Sequence, residues 1–162
     1  MNEPVSLCPM TVEMYHAYYR EYQNDPDLYI NKNEYKPFVY SPEWVDRYIQ
    51  RQIERNRKSL AVMHGEEIAG EIILKDIEPG KSATLSICMK NDRYKGRGIG
   101  TQAERLAIDY VFHELDIPVL YADSILSNER SQHVLEKVGF QLLRTEGDFK
   151  YYIIERLSDI SR

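Results

Sequence analysis

A glycine-rich stretch between an apolar run and a helix-like segment constrains the fold of this sequence most. Residues 95–101 read Lys-Gly-Arg-Gly-Ile-Gly-Thr and follow the apolar run at residues 85–89. Because glycine adopts positive φ easily and has no Cβ, such a stretch turns tightly and lets successive backbone N–H groups converge on an anion. Six apolar residues then recur at helical spacing, and the start of this predicted helix adds a positive dipole end. The order of strand, glycine loop and helix therefore predicts a phosphate-binding site. The six apolar residues are Ile99, Ala103, Leu106, Ala107, Tyr110 and Val111.

Two common phosphate-binding motifs do not fit this stretch. The Walker motif closes its loop with Gly-Lys-Ser/Thr, whereas Thr101 follows Gly100 directly. The dinucleotide motif G-x-G-x-x-G fails because Thr101 stands three residues after Gly98. A protein that binds ATP through this loop is therefore disfavoured, although it stays an alternative together with a glycine-rich turn that binds nothing.

The pattern that fits is R/Q-x-x-G-x-G/A from Lys95 to Gly100, with lysine in the first position. Downstream the chain carries Asn128-Glu-Arg-Ser131 and Glu136-Lys137-Val-Gly139-Phe140. Together these motifs resemble the GNAT family of N-acetyltransferases, especially its ribosomal-protein and polyamine acetyltransferase-like branch, over residues 67–156. Asn128 is a good helix N-cap, and capping alone could explain its presence. The resemblance implies acetyl-coenzyme A as cosubstrate and adds a contact between the Asn128 side chain and coenzyme A. The implied contacts are Ile87, Cys88, Met89, Lys95, Gly96, Arg97, Gly98, Ile99, Gly100, Thr101 and Asn128.

Periodicity, caps and turn signals predict elements in the order β-α-α-β-β-β-α-β-α-β-β. This order predicts an α/β (α+β) fold of the GNAT-like mixed type: a mainly antiparallel central sheet of about seven strands, flanked by about four helices. A single domain is expected over residues 1–162. The resemblance further implies that the strand before the glycine loop and the strand after the next helix splay apart, leaving a cleft for the pantetheine arm. The predicted strands are 5–7, 60–64, 68–77, 83–89, 119–124, 140–144 and 149–155, and the predicted helices include 12–23, 42–57 and 128–138.

Composition and charge limit the kinds of partner that this chain is expected to bind. With 43% hydrophobic and 29% charged residues, no apolar run long enough for a membrane span and no signal-like N-terminus, a cytoplasmic protein without membrane contact is expected. The net charge of −5 argues against nucleic-acid binding. Cys8 and Cys88 are far apart and the histidines lack ligand spacing, so we expect free thiols and no metal.

Around the glycine loop, four basic residues with only Asp92 opposing them predict a local basic patch that attracts a polyanionic small ligand. They are Lys90, Arg93, Lys95 and Arg97.

The resemblance implies direct transfer of an acetyl group to a primary amine in a ternary complex, with a main-chain N–H near residues 87–89 polarising the thioester carbonyl. The amine must lose a proton before it attacks, so the reaction requires a general base, either a carboxylate or a water molecule that a carboxylate holds. Glu71, Asp76, Glu78 and Asp123 lie on or beside strands that could face the cleft. Each of the four is also readable as a solvated surface acid. Glu71 is the preferred base, because it follows Gly70 in mid-strand, where a charged side chain needs a cleft or water.

The sequence does not decide which group protonates the departing thiolate. Many family members carry a tyrosine four residues after the position of Ser131, where this chain has Leu135. Ser131, solvent or no acid at all therefore serves this step. The plain interpretation of Ser131 is a solvated serine, and the alternative is a proton donor or hydrogen-bond partner for the departing thiolate.

The acceptor is predicted only by class: a protein N-terminus, a polyamine or another small amine. Most of the tyrosines concentrated before residue 50 are expected to pack in or against the core. Some of them, together with Glu34 and Asp25 or Asp27, could form an acidic aromatic wall suited to a cationic acceptor. A homodimer is one possible assembly. The alternative function is a non-catalytic acyl-coenzyme A-binding module that senses or scaffolds.

Overall fold

A computed structural model describes residues 3–158 of the chain, and the elements follow the predicted order. The α/β fold with a seven-stranded, mainly antiparallel sheet and four helices is confirmed. The strands are β1 (Val5–Pro9), β2 (Lys58–His64), β3 (Glu67–Glu78), β4 (Ser82–Met89), β5 (Val119–Ile125), β6 (Gln141–Glu146) and β7 (Phe149–Glu155). The helices are α1 (Val12–Glu21), α2 (Pro42–Glu54), α3 (Ile99–Asp109, continued by a π-helical turn at Tyr110–Glu114) and α4 (Glu129–Lys137).

Three of the four helices begin at conventional side-chain caps. The Thr11 hydroxyl accepts from the Met14 N–H at the start of α1, at 3.2 Å. Ser41 likewise caps α2, which has proline at its first position, and Asn128 caps α4. These caps satisfy N–H groups that a helix cannot pair internally. Helix α3 differs, because Gly98 precedes it and offers no side-chain cap.

The sheet has the strand order β1-β2-β3-β4-β5-β7-β6. Neighbouring strands are antiparallel except β4 and β5, which are parallel and pair only from Ser82–Thr84 to Val119–Tyr121. Beyond these three residues the two strands separate. The splay that the family resemblance implied is thus confirmed, and it opens a gap beside residues 85–89.

Element ends differ from the predictions where local geometry intervenes. Strand β1 extends two residues beyond the predicted range 5–7 and ends at Pro9. Because β1 is an edge strand, the missing proline N–H costs no ladder bond. Helix α2 ends at Glu54 because Asn56 adopts a left-handed φ of 52°. The loop between α1 and α2 contains two short 3-10 turns, Pro26–Leu28 and Lys32–Glu34.

The helices cover the two faces of the sheet unequally. Helices α3 and α4 pack on one face over the main core, which includes Ile72, Leu85 and Leu120. Helices α1 and α2 contribute a separate aromatic cluster on the other face, built on Tyr18 and Val45. Within residues 3–158 no helix combines the length and apolar character needed to cross a membrane.

Candidate active site

The glycine loop takes its shape from two left-handed residues. Gly96 and Gly98 have φ angles of 70° and 77°. A Cβ at either position would meet no heavy atom within 4 Å, so backbone conformation and not crowding calls for glycine. Gly100, in the first turn of α3, lies close to the end of β4, since a Cβ there would lie 3.9 Å from Met89 Sδ.

Six consecutive backbone amides in this loop have no hydrogen-bond acceptor among the described residues. They belong to residues 96–101; on either side Lys95 N–H donates to Asp92 O at 3.2 Å, and Gln102 N–H donates to Gly98 O at 3.1 Å. Unpaired N–H groups at the start of a helix carry partial positive charge and favour an anion. The loop is therefore a concentrated donor site for a phosphate group.

The gap between β4 and β5 also exposes backbone donors. Lys90 N–H donates to Ala69 O in β3 at 2.8 Å, which fixes the direction of the alternating peptide groups in this part of β4. The amides of Ile87 and Met89 consequently point away from β3, into the gap, while the Cys88 amide points toward β3. A ligand lying in the gap can therefore pair with β4 as a strand would.

Glu71 lies beneath α1 and α2, not in contact with water. Its side chain is 1% exposed, and it accepts hydrogen bonds from the Tyr19 hydroxyl at 2.7 Å and the Tyr48 hydroxyl at 3.0 Å. Burial raises the pKa of the Glu71 carboxyl above its ordinary value, and the two hydroxyls only partly oppose this rise. The expectation that Glu71 faces a cleft or water is wrong, because the helices pack over this part of β3.

Cys88 lies directly across from Glu71 in the β3–β4 register, on the side of α1. Its thiol donates to the Tyr22 hydroxyl oxygen at 3.5 Å, and its carbonyl accepts from the Tyr18 hydroxyl at 3.0 Å. Burial raises the pKa of the Cys88 thiol, so it is held as the neutral, weakly nucleophilic thiol. Gly70 permits this close packing, since a Cβ there would lie 2.9 Å from Cys88 O.

The predicted basic patch around the loop is largely neutralised by acids from distant parts of the chain. Only Arg97 of the predicted four lacks a carboxylate partner among the described residues; Arg130, in the first turn of α4, lacks one too. The prediction failed because three of the four acids, Glu21, Asp25 and Glu67, are brought in by the fold. The pairs are Lys90–Glu21 at 3.2 Å, Arg93–Glu67 at 3.3 Å, Lys95–Asp25 at 2.9 Å and Lys95–Asp92 at 3.0 Å.

Lys95 joins the glycine loop to the loop after α1. Burial alone would lower the pKa of its ammonium, but the Asp25 and Asp92 carboxylates raise it above its ordinary value. Lys95 is therefore a charged structural tie, with its side chain 16% exposed, and not a free cation awaiting a ligand.

Two cavities adjoin the ion pairs that Lys95 forms with Asp25 and Asp92. One, of about 580 Å³, lies between the glycine-loop side and the start of α4 and is lined by Lys95, Asn128 and Arg130. The other, of about 480 Å³, is lined by aromatic residues of the α1–α2 loop, Tyr35 and Phe38. Both cavities share the wall formed by Asp25, Pro26 and Asp92.

The start of α4 contributes polar groups to the same region. Asn128 Oδ1 accepts from the Ser131 N–H at 3.1 Å, which establishes its capping role and leaves its NH₂ group available. The Ser131 hydroxyl has no hydrogen-bond partner among residues 3–158, whereas Leu135 is 3% exposed in the core. Over the same residues, no group of three or more His, Cys, Asp and Glu side chains could hold a metal ion.

Comparison with known proteins identifies the family. A model of the acetyltransferase (GNAT) domain matches residues 5–141. The chain is 31% identical over 108 residues to spermidine N(1)-acetyltransferase of Escherichia coli, covering 67% of this chain and 56% of that protein. It is 38% identical over 76 residues to a probable N-acetyltransferase, YjcK, of Bacillus subtilis, covering 46% of this chain and 42% of the relative. The chain thus spans about half the length of the curated relatives it matches.

Solved structures share the fold at low sequence identity. A chimera of Vibrio cholerae spermidine N-acetyltransferase SpeG and hSSAT superposes with a TM-score of 0.75 at 18% identity, covering 93% of this chain and 95% of the other. Campylobacter jejuni N-acetyltransferase PseH in complex with acetyl coenzyme A superposes with a TM-score of 0.68 at 19% identity, covering 95% and 100%. Because the family model covers most of the chain and the fold agrees, this protein belongs to the GNAT acetyltransferase family.

Proposed function

We propose that this protein is an acetyl-coenzyme A-dependent N-acetyltransferase that moves an acetyl group to a primary amine by direct transfer in a ternary complex. The observation that carries the proposal is the run of unpaired amides at residues 96–101 beside the gap between β4 and β5. One relative is named as an N-acetyltransferase and another as a probable N-acetyltransferase, which supports the same reaction class.

The backbone and side-chain donors around the cleft support the binding of coenzyme A. The amides of residues 96–101 would hold its diphosphate, with Arg97 and Arg130 supplying unpaired positive charge. The amides of Ile87 and Met89 would pair with the pantetheine arm, and the Asn128 NH₂ group would add one further donor. When bound, acetyl-coenzyme A supplies an acetyl group activated as a thioester.

The chain's own residues favour direct transfer without an acyl-enzyme. Cys88 is the one thiol beside the gap in the described structure, and it is held neutral and hydrogen-bonded to Tyr22. In the part of the chain that the structure describes, the Ser131 hydroxyl in the first turn of α4 has no hydrogen-bond partner, which suits it as a proton donor to the departing thiolate. Leu135, packed in the core, cannot take this role.

A polyamine is the acceptor we place first among primary amines. The cavity after α1 is lined by Tyr35 and Phe38, whose aromatic rings suit an extended cation, while its Asp25 and Asp92 carboxylates are each paired with Lys95. A curated relative and several solved relatives are spermidine N-acetyltransferases. A homodimer also stays a prediction; one solved relative is described as dodecameric.

The proposal is tested with a panel of amines that includes spermidine, glycinamide and a short peptide. Purified protein is mixed with acetyl-coenzyme A and each amine, and both free thiol release and the mass of the acetylated product are measured. Amine-dependent thiol release with a matching acetylated product is the expected result. A protein that only senses acyl-coenzyme A would bind it by calorimetry and release no thiol with any amine, which would contradict the proposal.

A further inference from the structure

The carboxylate of Asp123 lies where β5 begins to separate from β4. Strand β5 pairs with β4 only as far as Tyr121, opposite Thr84, and Asp123 follows two residues later, about 7 Å along the strand. Side chains alternate along β5, so Ala122 and Ser124 are buried toward α4 while Tyr121 and Asp123 are exposed on the opposite face. Asp123 therefore lies on the open face of the sheet, where the strands have just separated.

The other carboxylates on or beside these strands are displaced or already used. Glu71 is buried and accepts from Tyr19 and Tyr48. Asp76 and Glu78 lie at the far end of the sheet, since Glu78 pairs with Ser82, where β4 and β5 are still joined. None of these three reaches the open part of the gap.

Asp123 is also free of partners among residues 3–158, where it makes no ion pair or side-chain hydrogen bond. Its cross-strand neighbour on β7 is Tyr151, and the Arg144 guanidinium of β6 lies over that ring at 4.3 Å. Arg144 itself pairs with Glu146 at 3.0 Å. On β4 the ionisable side chain of this face is Cys88, which is neutral.

Resting on the proposed function, we propose that Asp123, on the open sheet face where β5 leaves β4, binds the ammonium group of the acceptor and receives the proton it must lose. A primary ammonium has a pKa near 10 and cannot attack until it is deprotonated. An exposed carboxylate without a cationic partner is available both to attract the ammonium and to accept its proton. The residue would thus touch the reacting nitrogen directly.

The proton balance closes without another reactant. Asp123 takes one proton from R–NH₃⁺, leaving the neutral amine and a carboxylic acid. The nitrogen lone pair forms the C–N bond to the acetyl carbon while the C–S bond breaks. The Ser131 hydroxyl protonates the departing sulfur and takes the second proton of the nitrogen in exchange, so coenzyme A leaves as the thiol, and Asp123 returns its proton to water.

The test compares wild type, Asp123→Asn and the control Asp76→Asn with spermidine and glycinamide. For Asp123→Asn, kcat/KM at neutral pH should fall about 100-fold or more, while the calorimetric Kd for coenzyme A stays within about twofold. The difference in kcat/KM between wild type and Asp123→Asn should shrink as pH rises toward the amine pKa, because more of the acceptor then arrives deprotonated. It should also be smaller for glycinamide, an α-amine, whose pKa near 8 is lower than that of an alkylamine. Asp76→Asn should match wild type.

A second readout does not depend on turnover. With coenzyme A in place, spermidine should bind Asp123→Asn about tenfold more weakly than wild type, since one charged contact is lost. An Asp123→Asn enzyme within about threefold of wild type in kcat/KM, with unchanged spermidine affinity, would overturn the assignment and leave the proposed function standing. A wild-type protein that acetylates no amine in the panel would instead remove the proposed function itself.

Discussion

Glu104 is a carboxyl group buried in α3 without a partner. It is 3% exposed, and its Oε2 has no hydrogen bond among the described residues. Burial raises its pKa from 4.5 to about 8, so the group is mostly protonated at neutral pH. The unfolded chain loses this proton at much lower pH. Between these two pKa values the folded state binds more protons than the unfolded state, so stability falls as pH rises.

Replacing this group should remove that pH dependence. Glu104→Gln should have nearly the wild-type free energy of unfolding at about pH 4, and exceed it by on the order of 3 kcal/mol above about pH 8. Urea unfolding across this range measures the difference. Glu114→Gln, at the exposed end of the π-helical turn that continues α3, is the matched control and should follow wild type throughout. A constant difference between Glu104→Gln and wild type would contradict the assignment.

The burial of Glu104 could not be predicted from the sequence. The apolar stripe of this helix includes Leu106 and omits position 104, yet Leu106 is 40% exposed and Glu104 is buried. The stripe gives the period of the helix but not its rotation about the axis. That rotation is set by packing against the sheet and α4, which involves residues far away in sequence.

At the scale of elements, the glycine loop and the start of α3 form one donor site. Gly98, the last residue before the helix, adopts a left-handed conformation, and the amides of residues 99–101 in the first turn have no acceptor among residues 3–158. A side chain at such a position costs about 1–2 kcal/mol for steric reasons, and relief of this strain would turn the amides away. The conformation of one residue therefore determines a binding property of the helix.

Gly98→Ala should lose coenzyme A affinity by about tenfold or more, measured by calorimetry, together with about 1 kcal/mol of stability. The matched control is Gly147→Ala in the β6–β7 turn, where φ is 60° and no atom would obstruct a Cβ. This control should lose similar stability and keep its affinity. Equal affinities in both variants would show that the loop amides do not hold the ligand.

Elements were predictable where their signals are local, and the site was predictable only in part. Caps at Thr11, Ser41 and Asn128 and the glycine pattern fixed most helix starts, because each acts within a few residues. The burial of Glu71 and the pairing of Lys95 with Asp25 depend on where α1 and its following loop pack. Sequence spacing therefore identified the donor loop but assigned the surrounding charges incorrectly.

At the scale of the whole molecule, the parting of β4 and β5 separates the sheet into two halves that are joined at one end. Strands β1 to β4 carry α1 and α2, while β5, β7 and β6 continue the sheet beyond the gap. The two sides approach again around the cavity between Lys95 and Asn128. A ligand in the gap would contact both halves and would therefore stabilise the molecule as a unit.

Coenzyme A should raise the thermal midpoint of the whole protein in a single transition. At about 100 times its Kd, a ligand that binds only the folded state adds about 2.7 kcal/mol. For a chain of this size that free energy corresponds to a shift of about 5–10 °C. ATP, which brings phosphates without a pantetheine arm, should give a much smaller shift, and pantetheine without the diphosphate should do the same. Differential scanning calorimetry with the three ligands separates these cases. An ATP shift that exceeds the coenzyme A shift would mean that the loop acts alone as a nucleotide site and that the gap between β4 and β5 plays no part in binding.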